Sequence, residues 1–206
     1  MKMSRSQKTT KPDRRRTLNQ DQIKICAMEV FSEIGYMKAT VKDITTRANV
    51  GHGTFYHYFK NKNDLLDQLV DDLFEKVNQD VQPKTLSESL YETMKDEAGT
   101  ILDFYNQNRG VLLALKEAMM VDQHYKDKWL KISERLFKRI ERDIKGSMKK
   151  GYCHNMNIDI TIRALACMFE GYGHHLMLQP ASPRETQITA ESLTDFCYKA
   201  VFKLEA

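Results

Sequence analysis

Hydroxyl, imidazole and ammonium groups are concentrated between residues 40 and 62, where their spacing suits contact with DNA. Ammonium groups neutralise backbone phosphates, and hydroxyl and imidazole groups can exchange hydrogen bonds with phosphate oxygens or base edges. A glycine among them lets backbone approach another surface closely. The candidate DNA-contact residues are Thr40, Lys42, His52, Gly53, Thr54, Tyr56, His57, Lys60 and Lys62.

These candidates divide into two sets by role. Thr40, at the start of a predicted helix, offers a hydroxyl and backbone N–H groups to a phosphate, with help from the helix dipole. The Thr54 methyl suits contact with a thymine methyl. The remaining phosphate candidates are Lys42, Tyr56, Lys60 and Lys62, and the remaining base-edge candidates are His52, Gly53 and His57.

Two short predicted helices and a tight turn, within residues 40–66, must position these side chains. Thr40 begins the first helix, and Asp43 three residues later completes a capping-box pattern. Asn49 lies at the reversal, where Asn tolerates a left-handed backbone. The second helix is predicted from about Gly51 to Tyr58. Apolar residues cover one side of the pair, so this is a helix-turn-helix with a recognition helix.

The flanking segments complete a small predicted domain over residues 19–62. A first helix from about Gln20 to Ile34, capped by Asn19, supplies an apolar stripe. A fourth helix, residues 61–79, connects this domain to the rest of the chain. Residues 1–18 are rich in Lys and Arg, and they form either a disordered solvated tail or a basic arm that contacts DNA.

The run V-G-H-G-T-F-Y-H-Y-F-K-N-K-N-D-L-L closely resembles the signature of the TetR family, the tetracycline-repressor-like transcriptional regulators. The resemblance covers about residues 19–75. Asn49 stands where many members have Gly, and Gly51 where many have a Ser or Thr cap. The residues that match typical contact positions of the family are Thr40, Thr54, Tyr56, His57 and Lys62.

Charge is distributed unevenly along the 206 residues. Residues 1–62 hold 13 lysines and arginines against 5 acidic residues, whereas the remainder holds 19 against 23. The net charges are therefore +8 and −4, although the whole chain carries only +4. Positive charge concentrated on the helix-turn-helix end is expected for a surface that binds nucleic acid.

Residues 82–206 are predicted to form a second, larger helical domain. The fold class is therefore all-α, with about nine helices in total and no convincing strand pattern. Segments 158–178 and 188–204 are apolar on more than one face. They are candidates for a four-helix interface in a homodimer, or alternatively for an intramolecular core.

The family resemblance implies a small-molecule effector pocket in this second domain. Met and aromatic side chains suit an adaptable apolar cavity, although for any single one of them plain core packing is the favoured interpretation. The candidate effector-binding residues are Phe104, Tyr105, Met119, Met120, Trp129, Phe169 and Tyr172.

Other chemistries find little support in the sequence. Nucleophile-elbow, Walker and zinc-protease motifs are absent, so we expect neither an enzyme nor a cofactor. Adjacent His174 and His175 point about 100° apart on a helix, which is a poor metal-chelating geometry. The four widely spaced cysteines are expected to be buried thiols, with redox sensing by Cys153 or Cys167 as the alternative. No signal peptide or membrane span is predicted, so a cytoplasmic protein without membrane partners is expected.

The sequence therefore predicts a homodimeric, ligand-responsive transcriptional repressor. It would bind a palindromic double-stranded operator and be released by a small apolar effector. The alternative is a DNA-binding activator or chromosome-organising protein that needs no small molecule.

Overall fold

The computed structural model describes residues 11–80 and 90–203, which form nine helices. Within these ranges the only strand-like pairing is an isolated antiparallel bridge between Cys153 and Phe202. This confirms the all-α prediction. The helices are α1 (Lys11–Ile34), α2 (Val41–Arg47), α3 (His52–Tyr58), α4 (Lys62–Asp80), α5 (Leu90–Gln107), α6 (Arg109–Met119), α7 (Gln123–Lys149), α8 (Ile158–Leu178) and α9 (Pro183–Val201).

Two helix starts differ from prediction. Helix α1 begins at Lys11, so Asn19 lies inside the helix and does not cap it, and only residues 1–10 of the predicted arm fall outside the described residues. Helix α9 begins at Pro183 instead of Ile188, because Ser182 caps it in a reciprocal capping box. Proline suits the first helical position, where its missing N–H would have no partner.

A single hydrophobic core joins the helix-turn-helix end to the later helices. Buried residues of α1, α3 and α4 belong to the same cluster as buried residues of α6, α7 and α8. Each such large apolar side chain contributes about 1.5–3 kcal/mol when it is removed from water. Members from the two sides of the predicted boundary at residue 82 include Ile23, Phe31, Phe55, Leu65, Leu112, Leu115, Tyr125 and Met177.

Helices α1 and α6 lie in backbone contact at Gly110. A Cβ atom placed on Gly110 would lie only 2.3 Å from the carbonyl oxygen of Met28, so no larger residue fits there without a shift of a helix. Helix α6 therefore packs directly on the helix that supports the helix-turn-helix pair.

Smaller clusters stabilise the far end of the chain. Helices α5, α8 and α9 pack together around Ala98, Leu102 and Leu176. The end of α9 is tied to the α7–α8 loop, since the amide of Lys203 donates to the carbonyl of Tyr152 at 2.8 Å. None of the helices in the described ranges combines the length and apolar character that a bilayer span requires.

Candidate DNA-binding surface

The turn between α2 and α3 adopts the predicted geometry. Thr40 caps α2 reciprocally: the Asp43 amide donates to the Thr40 hydroxyl oxygen at 3.2 Å, and the Thr40 amide donates to the Asp43 carboxylate at 2.9 Å. These bonds from the hydroxyl and amide of Thr40 hold the pKa of Asp43 below its usual value. Asn49 has φ +51°, the left-handed conformation expected at the reversal.

Helix α3 buries one side and presents the other to solvent. Phe55 is fully buried and Phe59, just after the helix, nearly so, which fixes the rotation of the helix against the core. A Cβ on Gly53 would meet nothing within 4 Å, so the backbone there is open to an approaching surface. The residues exposed with it are His52, Tyr56 and His57, while Thr54 is half-buried.

Aromatic contacts order this outward face. The rings of His52 and Tyr56 meet edge to face with centroids 5.3 Å apart, one helical turn from each other. The His57 ring contacts Tyr58 in the same manner at 5.0 Å. The imidazoles are thereby held in defined orientations while they remain exposed, which suits side chains that exchange hydrogen bonds with DNA.

The lysines of and beside the helix pair differ in their exposure to solvent. Lys42 and Lys60 are exposed, as phosphate-contacting residues must be. Lys62 is not free in this way, because its Nζ donates to the carbonyl oxygens of Tyr36 at 2.6 Å and Ala39 at 2.8 Å. Burial lowers the pKa of Lys62, while the negative charge of Glu117 opposes that shift. Lys62 therefore has a structural role in this conformation, whereas its phosphate contact stays a prediction.

Two residues that the sequence did not single out support the helix pair. The Arg47 guanidinium forms two hydrogen bonds of 2.5 Å with Glu33 and so fastens α2 to α1. Glu117 of α6 accepts a hydrogen bond from the amide of Met37 at 2.9 Å. Arg47 and Glu33 lie 14 residues apart and Glu117 and Met37 lie 80 apart, so no local pattern could have indicated either pairing.

The predicted effector residues do not form one group. Phe104, Met119 and Trp129 pack against the large core cluster that contains Tyr105, whereas Phe169 and Tyr172 pack against the smaller cluster between α5, α8 and α9. Met120 was predicted to line the pocket, but it lies at the end of α6 with 85% of its surface exposed. In this conformation Met120 therefore lines no enclosed site.

Metal-binding geometry is also lacking in the described part of the chain, where no group of three or more potential ligands comes together. His174 and His175 are both exposed, and the His175 ring contacts Tyr172 edge to face. Three cysteines, Cys26, Cys153 and Cys197, are buried, and Cys167 is exposed on α8. The buried-thiol expectation therefore fails for Cys167 alone.

Comparison with known proteins gives a consistent result. The model of the family "Bacterial regulatory proteins, tetR family" matches residues 26–69, which span the end of α1, the helix-turn-helix pair and the start of α4. The uncharacterized HTH-type transcriptional regulator YvdT of Bacillus subtilis is 25% identical over 122 residues, or 57% of this chain. The fatty acid metabolism regulator protein of the same organism is 39% identical over 67 residues, or 31% of this chain.

These alignments span 61% and 34% of the lengths of the two relatives. Likeness over the full chain comes from solved structures. A bacterial regulatory protein of the tetR family from Rhodococcus RHA1 superposes with a TM-score of 0.73 at 18% identity, covering 96% of this chain and 100% of that one. At that identity the likeness concerns the fold. Residues 26–69 therefore match the helix-turn-helix segment of the tetR family, and the chain as a whole shares the all-α fold of a solved member of that family.

Proposed function

We propose that this protein is a homodimeric transcriptional regulator that represses by binding a palindromic operator and is released by a small apolar effector. The observation that carries the proposal is the outward face of α3, where His52, Gly53 and His57 are exposed on a helix whose opposite side is locked into the core. A helix fixed and exposed in this manner can enter a major groove without rearrangement.

Charge supports DNA as the partner. The segment 1–62 carries +8, and the exposed lysines Lys42 and Lys60 lie in the first turn of α2 and just after α3. Phosphate contacts from such residues fix the register of the protein on DNA, while the α3 side chains read the bases. The proposed contact set is Thr40, Lys42, His52, Gly53, Thr54, Tyr56, His57 and Lys60, and it omits Lys62.

Dimerisation is supported by apolar side chains on the outer faces of α8 and α9. Ile160, Leu178, Ile188 and Phe196 each expose more than half of their surface in the single chain. A second copy related by two-fold symmetry would cover them and place two α3 helices on successive major grooves. One short recognition helix reads only a few base pairs, so two half-sites are needed for useful affinity.

Effector release rests on the packing of α6. Because α6 lies against both α1 and the later helices, a ligand that favours a different α6 position would also favour a different position of the helix-turn-helix pair. The candidate ligand-facing residues lie in the two clusters described above, and they are Phe104, Tyr105, Met119 and Trp129 in the large one and Phe169 and Tyr172 in the smaller one.

Selection of duplexes from a random DNA library by the full-length protein tests the proposal. We expect enrichment of an inverted repeat, and sedimentation should show one dimer on each selected duplex. Phe196→Glu should give a monomer that no longer binds the repeat, whereas the matched exposed-site change Gln187→Glu should leave both properties intact. Failure to enrich any sequence would exclude an operator-specific regulator.

The alternative function is an activator or a chromosome-organising protein without an effector. Binding spread over duplexes with no inverted repeat would favour the organiser. Operator binding that stimulates transcription in a reconstituted assay would favour the activator.

A further inference from the structure

Residues 35–39, here called the α1–α2 loop, connect the supporting helix α1 to Thr40, the residue that caps α2. Gly35 begins the loop with φ +80°, and the loop ends where the capping box begins. Its conformation therefore determines where α2, and through the tight turn α3, lies relative to α1. The contacts that hold the loop come from parts of the chain that are distant in sequence.

Glu117 holds the loop from the side of the later helices. Its Oε2 accepts from the Met37 amide at 2.9 Å, and its carboxylate lies so close to Gly35 that a Cβ there would be 2.7 Å from Oε1. A hydrogen bond from a backbone amide to a charged carboxylate is among the stronger ones in proteins. Glu117 lies in the last turn of α6, just before exposed Met120 and Val121.

Lys62 holds the same loop through other backbone groups. Its Nζ donates to the carbonyls of Tyr36 and Ala39, which lie in sequence on either side of Met37. The amide of Met37 is the group that donates to Glu117. Lys62 is the first residue of α4, so the loop is held between α4 and α6. The electrostatic influence of Glu117 on Lys62 indicates that the carboxylate and the ammonium stabilise each other.

We propose that Glu117 is a positioning residue that transmits the placement of α6 to the α1–α2 loop and so to the DNA-facing helices. This inference rests on the proposed function, and it names a second route of coupling besides the connecting helix α4. A shift of the α6 end would loosen the Met37 bond and free the backbone just before Thr40. Because the loop precedes α2 directly, the effect reaches the helix-turn-helix pair without passing through the buried core.

Hydrogen exchange of the full-length protein without DNA gives the first test. Three variants are compared with the wild type: Glu117→Ala removes the acceptor, Glu117→Gln keeps an acceptor without the charge, and Glu170→Ala is the control. Glu170 also contacts α6, through Lys116 at 3.7 Å, but it lies on α8 away from the loop.

We expect Glu117→Ala to speed exchange of the Met37 amide and of the α2 amides about tenfold, as for loss of one charged hydrogen bond. The exchange rates of Glu117→Gln should stay within about threefold of those of the wild type. The exchange rates of Glu170→Ala should equal those of the wild type. Unchanged exchange in α2 would overturn the proposal, even if the Met37 amide itself exchanged faster. Glu117 is only half-buried, so its truncation leaves no cavity in the core.

Reciprocity gives the second test, because coupling must act equally in both directions. Adding a duplex selected by the wild type should change exchange in residues 109–119, and Glu117→Ala should reduce that change while weakening DNA binding about fivefold or more. A DNA-induced change of the same size in Glu117→Ala as in the wild type would overturn the inference. If the wild type selects no duplex, the proposed function fails, while the exchange experiment still decides whether Glu117 holds α2.

Discussion

The Nζ atom of Lys62 lies 2.6 Å from the carbonyl oxygen of Tyr36 and 4.4 Å from the centroid of its ring. The ammonium group therefore stabilises the α1–α2 loop by both a hydrogen bond and a cation–π contact. A lysine that the family signature associates with phosphate contact is here occupied with the protein's own backbone.

Lys62→Ala should lower the free energy of unfolding by about 1–3 kcal/mol, because it leaves carbonyl groups of the loop without their charged donor. The salt dependence of DNA binding should keep its slope, since no phosphate contact is lost. Lys60→Ala is the matched control: it should leave stability nearly unchanged and reduce that slope by about one. Chemical denaturation and salt titration of DNA affinity measure the two effects. A reduced slope in Lys62→Ala would restore the phosphate role.

Gly110→Ala should destabilise the protein by about 3 kcal/mol or more, because the new Cβ collides with the Met28 carbonyl and forces α1 from α6. Gly146→Ala in α7 is the matched change, since a Cβ there meets nothing within 4 Å. That substitution should instead stabilise by about 0.5–1 kcal/mol through helix propensity. Thermal unfolding of the two variants should give shifts of opposite sign, and similar shifts would contradict the close packing of α1 on α6.

Asp67 links stability to acid pH. Burial raises the pKa of Asp67, but hydrogen bonds from Lys128 and His124 outweigh it and leave the pKa below its ordinary value. The stabilisation is then present above about pH 3.9, the unfolded value, and is lost as pH falls through the lower folded pKa. Asp67→Asn should cost about 1 kcal/mol near pH 7, a modest figure because the site is partly exposed.

Urea denaturation of wild type and Asp67→Asn at a series of pH values measures this difference. The two stabilities should converge as the pH falls below about 3.9, the unfolded pKa of an aspartate, and through the lower folded pKa. A constant difference over the whole range would mean that the carboxylate charge contributes nothing. Asp71→Asn serves as the comparison, since Asp71 pairs with the same Lys128 but is more exposed than Asp67.

Cysteine labelling reports the proposed dimer. Burial raises the pKa of the Cys197 thiol to about 11, so it should resist alkylation in the folded protein. Cys167 is exposed on the same helix as Ile160 and Leu178, and a partner covering that face would protect it. We expect slow labelling of Cys167 in the wild type and fast labelling in the monomeric Phe196→Glu variant. Mass spectrometry measures the two labelling rates. Equal rates for Cys167 in the wild type and in Phe196→Glu would place the dimer interface elsewhere.

Substitutions on α3 should change sequence preference more than general affinity. Thr54→Ala and His57→Ala should each cost about 1–3 kcal/mol on the preferred duplex and relax the choice of base at one position. Lys42→Ala should weaken binding about equally on all duplexes. Repeating the library selection with each variant tests this, and an unchanged preferred sequence would show that α3 does not read bases.

The local features of the helix-turn-helix were predictable because they depend on neighbouring residues. The capping box of Thr40 with Asp43 and the left-handed Asn49 follow from side-chain chemistry within a few positions, and the structure confirms both. The resemblance to the TetR family that this segment carries is confirmed by the family-model match to residues 26–69.

The long-range contacts could not be read from the sequence. Nothing near Lys62 indicates that the carbonyls of Tyr36 and Ala39 will surround its ammonium group, because they lie more than 20 residues away. Likewise, Met120 follows an apolar helical run, and only tertiary packing places it on the surface. The predicted start of α9 was wrong because proline can either interrupt a helix or begin one. Pro183 suggests a break in the sequence, and yet it is the first residue of α9.

The shared core has a consequence for exchanging parts between related regulators. Val30, Leu69 and Leu73 pack in the same cluster as Val111 and Leu115 of α6, so the first four helices do not bury their apolar surface alone. A chimera that joins only α1–α4 to the later helices of another regulator would leave the apolar surfaces of α1–α4 and of the foreign helices mismatched. A working hybrid would have to carry α6, with Gly110 and Glu117, along with the helices that it supports.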